Sequence, residues 1–177
     1  MKKYLLVLAV VAVLAGVGLS SDSAYAATDY FLKLDGVKGE STNAKHKDQI
    51  EIMSWSWGMS NSGSMSSGGG GGAGKVSFQD ISLMKKVDKS SPKLFEACAS
   101  GKHLKEMVLT STSGKRLDYL KYTFQDVLCT SMTTSGGSDA PMEQVSFSYG
   151  KIEMQYMPMD LSGWLRAAWD IVRNVVF

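Results

Sequence analysis

Apolar and polar residues alternate along most of the chain, the two-residue period of strands that bury one face. In Thr28 to Leu34 the residues Tyr30, Leu32 and Leu34 share a face and Phe31 points to the other, before Asp35-Gly36 turns the chain. Asp48 to Ser60 places Ile50 and Ile52 on one side and Met53, Trp55, Trp57 and Met59 on the other, which predicts a second strand with a tryptophan pair anchoring its core. Val76 and Phe78 alternate, then the phase slips so that Ile81 and Leu83 continue the face, and a bulge near Gln79 and Asp80 is expected there. Leu104 to Thr110 reads as a strand with two partly covered faces. Leu120, Tyr122 and Phe124 alternate and Val127 and Cys129 resume after another slip; Val145, Phe147 and Tyr149 are followed by a break at Gly150-Lys151 and by Ile152, Met154 and Tyr156. Long strands kinked in this way suit a sheet that curves toward a barrel.

Helical punctuation is clear at one place. Ser91 and Pro92 predict a helix start, Ser91 as the N-cap, and Gly101 predicts a left-handed stop. Between them Leu94, Phe95 and Cys98, with Ala97 and Ala99 beside them, form a stripe expected to bury against a sheet. The last segment stays open on pattern alone. Leu165, Ala168, Trp169, Val172 and Val176 fit a helical stripe, whereas Ala167, Trp169 and Ile171 fit a strand ending in Val175 and Val176.

The N-terminus changes the picture of where the protein works. Lys2 and Lys3 precede an apolar run from Tyr4 to Leu19, and Ala24-Tyr25-Ala26 supplies small residues, so residues 1–26 read as a secretory signal peptide cleaved between Ala26 and Ala27. A membrane anchor is the weaker reading because the run is short for a span. Residues 27–177 then form one domain, large enough to bury a core without disulfides. Cleavage removes Lys2, Lys3 and Asp22, so the net charge falls from +2 to +1, which argues against a nucleic-acid partner. Cys98 and Cys129 both sit at interior-looking positions and are expected to be free thiols, although their number permits a disulfide.

Candidate chemistry is sparse. Gly36 to Lys47 is a long polar loop expected to lie exposed and to touch something. His46 within it and His103 lack partners at metal-ligand spacing and are expected to be exposed or half-exposed. Gly69 to Lys75 nearly matches a phosphate-binding loop, but Val76 stands where a hydroxyl should hold magnesium and a strand follows instead of a helix, so the tract from Asn61 to Gly74 reads as a flexible hairpin loop. A tryptophan platform for a sugar or base would need a basic surround that Trp55 and Trp57 lack. No nucleophile, base or carboxylate set of a catalytic site emerges, and no cofactor is implied.

Five stretches in order, DYFLKLDGVKGES, HKDQIEIMSWSWG, GKVSFQDISLMKKVDKSSPKLFEACASGKH, LDYLKYTFQDVL and AWDIVRN, resemble the haemolysin-coregulated protein (Hcp) family, the inner-tube subunit of bacterial type VI secretion systems. The resemblance implies a mainly β fold, a small β-barrel of two curved antiparallel sheets with one short α-helix alongside, and decides for a strand near the C-terminus. It also implies homohexameric rings stacked into a secreted tube that carries effector proteins in its lumen, with spike and sheath proteins as partners and no enzymatic activity. Val37, Lys38, Glu40, Lys45 and Lys47 would then belong to a loop that contacts the next ring. An exported Hcp-like binding or effector module acting as a free ring or monomer is the alternative. Two features depart from the family's usual pattern: the leader, and the short linker from Met159 to Arg166, which carries Trp164 and Leu165.

Overall fold

A computed structural model describes residues 28–62, 76–114 and 117–177. The expected signal peptide with its cleavage point at Ala26 and Ala27, and the glycine-rich tract from 63 to 75, lie outside the described residues.

Among the described residues eleven strands and one helix follow in order: β1 (Asp29–Leu34), β2 (Ile50–Ile52), β3 (Ser54–Ser56), β4 (Met59–Asn61), β5 (Val76–Phe78), β6 (Ile81–Lys86), α1 (Ser91–Ser100), β7 (His103–Thr112), β8 (Asp118–Ser135), β9 (Met142–Tyr156), β10 (Leu165–Asp170) and β11 (Val175–Val176). All pairings are antiparallel. One sheet of nine strands runs β11-β10-β9-β8-β7-β1-β2 with β6 and β3 branching from β9, and β4 and β5 make a separate ribbon.

The branch gives the fold its two layers. One edge of β9 pairs with β8 over its whole length, while the other is shared: its first half pairs with β6 from Met142 to Phe147, its second half with β10 from Lys151 to Tyr156. Between the halves Asp126 of β8 has φ 55° and faces Gly150, where an added Cβ would lie 3.3 Å from the Asp126 Cβ. A side chain at position 150 would crowd this crossing, which explains a glycine in mid-strand. The inward phase flips here on both strands, from Tyr122 and Phe124 to Val127 and Cys129, and from Phe147 and Tyr149 to Ile152, so the same face stays buried across the kink.

Hydrogen-bond ladders do not close the sheet into a barrel, because the path stops at β2 on one side and β3 on the other. The chain itself makes the connection as β2 leaves β1 and β3 joins β6, with the Met53 N–H donating to the Met84 carbonyl at 2.8 Å. That switch of partner corrects the expected second strand. Met53 turns out to solvent and the phase changes, so Trp55 and Trp57 pack against the same core as Ile50 and Ile52 instead of occupying an opposite face. They join Tyr30, Phe78, Tyr122, Phe124 and Tyr149 in a chain of ring contacts with centroids 4.7–6.4 Å apart.

Helix α1 packs on β8 through Leu94 and Ala97. Phe95 is 67% exposed, which removes it from the expected buried stripe: it follows Leu94 by about 100° around the helix and faces solvent. The N-cap is Ser90, not Ser91, and Ser90 makes no side-chain capping bond; its carbonyl accepts the first helical bonds from Lys93 and Leu94. Pro92 lies in the first turn, and Gly101 at φ 63° ends the helix with its N–H on the Ala97 carbonyl. The C-terminal segment is the strand β10, followed by a turn and the two-residue β11.

Candidate functional site

The segment between β1 and β2 is folded back on the sheet, which differs from the expected exposed loop. The Gly39 N–H donates to the Asp48 carbonyl at 2.8 Å, Ser41 to Gln49 at 3.0 Å, and Asp48 back to Ser41 at 2.9 Å, so the two limbs zip together. Gly39 must be glycine here, since an added Cβ would lie 2.2 Å from the Gln49 carbonyl oxygen. His46 is 4% exposed, correcting its sequence reading, and stacks on Phe31 with ring centroids 4.4 Å apart. Its Nε2 meets Asp118 at 3.0 Å and Thr112 Oγ1 at 3.3 Å, and its Nδ1 meets Gln49 Oε1 at 3.2 Å. Phe31 is the off-phase apolar residue of β1, and the loop is its cover.

Burial pushes the Asp118 carboxyl up, but hydrogen bonds from His46, Lys121 and Thr112 together outweigh it and hold the group below its ordinary value. Lys121 adds an ion pair at 3.3 Å. Outward from this anchor the predicted contact residues divide. Lys38, Lys45 and Lys47 are exposed, with Lys38 4.0 Å from Asp48 and the Lys45 N–H on Asn43 Oδ1. Val37 is half-buried against the core, and Glu40 accepts the Lys89 N–H at 3.0 Å just before α1.

A second polar cluster holds the start of α1. Lys85 is 1% exposed and stands directly opposite Glu143 in the β6–β9 ladder, Nζ to Oε2 2.9 Å. The ammonium also meets Asp88 at 2.8 Å, the Lys86 carbonyl at 2.7 Å and Ser91 Oγ at 3.1 Å, while Ser91 donates to Glu143 at 2.7 Å and accepts the Asp88 N–H at 3.1 Å. The Ser91 hydroxyl is thus fully engaged in joining helix to sheet, which is why it does not cap. Sequence reasoning missed the pair, yet its signal was there: Lys85 continues the inward phase of Ile81 and Leu83, and Glu143 that of Val145 and Phe147.

A groove of about 820 Å³ opens between the β4–β5 ribbon and β10, lined chiefly by Trp57, Met59, Phe78, Met154, Ala168 and Val176. Arg166 at its rim bonds Glu153 at 2.6 Å and holds that carboxyl below its ordinary value. Leu165, Val172, Val175 and Val176 are exposed nearby, and the Lys121 ammonium sits 5.0 Å over the Trp164 ring. Exposed apolar side chains grouped in one segment are a candidate for a protein contact. Among the described residues no group of three or more His, Cys, Asp or Glu is placed to hold a metal ion, and no helix is long and apolar enough to cross a membrane. His103 is exposed and pairs with Asp126 at 2.7 Å.

The family described as "Type VI secretion system effector, Hcp" matches residues 31–156. Protein hcp1 of Pseudomonas aeruginosa is 43% identical over 159 residues, covering 84% of this chain and 98% of that protein. Among solved structures, Hcp1 from Salmonella typhimurium superposes with a TM-score of 0.76 at 36% identity, covering 85% of this chain and 99% of the other. A structure described as a type six secretion system protein gives a TM-score of 0.80 at 31% identity, covering 85% and 100%. A type VI secretion system effector from Yersinia pestis gives 0.69 at 32%, covering 80% and 99%. The chain belongs to the Hcp family of type VI secretion proteins.

Proposed function

We propose that the protein is a non-enzymatic tube subunit, six copies closing into a ring and rings stacking into a secreted tube that holds effector proteins in its lumen. The observation that carries this reading is the group of exposed apolar side chains on and beside β10 and β11, Leu165, Val172, Val175 and Val176. An apolar patch of this kind that meets a different surface of the next copy makes a heterologous contact, which closes as a ring when the rotation allows. The Gly36–Lys47 segment serves the second contact, between rings. It is held rigidly by His46 and Gly39, and presents Lys38, Lys45 and Lys47 outward to carboxylates of a neighbour. With the leader in use the subunit passes through the periplasm, and spike and sheath proteins are its further partners.

Native mass spectrometry of the chain at micromolar concentration should show hexamers; monomers there would overturn the reading and favour the exported single module. Removing Val37 to Lys45 should leave the hexamer intact by light scattering but abolish tubes in electron micrographs. Raised salt should dissociate stacks before rings, because exposed ion pairs are weak and screened.

A further inference from the structure

We propose that Cys98 and Cys129 are a disulfide-forming pair, closed when the protein meets an oxidising compartment and open in a reducing one. Both are free thiols in this structure. Cys98 is half-buried beside Ala97 on the side of α1 that packs on the sheet, and Cys129 is 4% exposed on β8, where the ladder shifts register between Cys129 and Ser131. The Cys98 thiol points across the helix–sheet seam and lies 3.8 Å from the Cys129 carbonyl oxygen; the Cys129 thiol lies 3.7 Å from the Ser131 carbonyl. Burial, and then the neighbouring Cys98 side chain, push the Cys129 thiol up to about 12. Cys129 is therefore inert toward solvent oxidants, and Cys98 is the point of entry.

The step balances with a small disulfide such as oxidised glutathione. The Cys98 thiolate attacks one sulfur, breaking the oxidant's S–S bond and releasing one glutathione thiol that carries away the Cys98 proton. The Cys129 sulfur then attacks the Cys98 sulfur of this mixed disulfide, its proton passing to the departing glutathione thiolate, so that the intrachain bond forms as the mixed disulfide breaks. Two protein thiols are oxidised and one oxidant disulfide is reduced. The bond would span 31 residues and fix the C-terminal half of α1 to β8, constraining the unfolded chain. Its state would record the route taken, since disulfides form in exported proteins and not in the cytosol.

The test is made on the full chain. The protein is equilibrated in reduced or oxidised glutathione, quenched in acid, denatured, alkylated with N-ethylmaleimide and weighed intact. The expected result is two adducts after the reducing buffer. After the oxidising buffer there should be none, with a mass lower by two hydrogens, a linked Cys98–Cys129 peptide, and a raised denaturant midpoint that dithiothreitol reverses. Two adducts after oxidation, a glutathione adduct that persists on Cys98, or disulfide-linked dimers would each overturn the proposal.

Discussion

At the residue scale, stability is concentrated in a few buried polar groups. Lys85→Met would leave the Glu143 carboxylate buried opposite an apolar chain, and breaking such a pair costs about 3–5 kcal/mol. Replacing both partners, Lys85→Met with Glu143→Leu, should recover much of that loss in chemical denaturation, because no buried charge is left behind. Ser91→Ala should cost about 1–3 kcal/mol, the effect of unsatisfying Lys85 and Glu143 and not of uncapping the helix. Asp118 adds a pH dependence. Its carboxyl is lowered in the folded state, so its contribution is present above the unfolded value of about 3.9 and is lost as pH falls through the folded value. The thermal midpoint of the native chain should therefore drop in that acid range, and the Asp118→Asn variant, less stable at neutral pH, should show a flatter profile there.

At the scale of elements, the loop before β2 behaves as a built part of the domain. Gly39→Ala must separate two backbone limbs that lie in contact, and overpacking of this kind costs about 1–3 kcal/mol. The measurable sign would be faster proteolytic cutting between Val37 and Lys47, with β7 to β9 remaining protected. Strand positions were legible from the alternation of apolar residues, and so was the phase slip at Asp126, because burial demands that one face stay inward; at Gln79 and Asp80 the expected bulge is instead the break where the chain leaves the β4–β5 ribbon and enters β6. The break at Met53 was not, since a period of two continues through Trp55 and Trp57 and only the change of pairing partner reveals it. His46 was hidden for a related reason. A polar loop reads as solvated unless the need of Phe31 for a cover is weighed against it. The helix start was off by one residue because a serine before proline reads as a cap, whereas Ser91 is drawn inward by Lys85 and Glu143.

At the scale of the molecule, the two layers share β8 and β9, and this has a consequence for how the chain reaches its fold. The β8–β9 hairpin closes over a short turn, while β1–β7, β6–β9 and β3–β6 join residues far apart in sequence and cannot be stabilised until long loops have closed. The hairpin should therefore order first and serve as the template on which both wings condense. Pulsed amide hydrogen exchange during refolding should protect Tyr122 to Val127 and Val145 to Ile152 before Tyr30 to Leu34; simultaneous protection of all three would refute that order. The same corner strands place both wings, and with them the groove at β10, so a slip of register in this one hairpin would misplace every surface through which one copy could meet another.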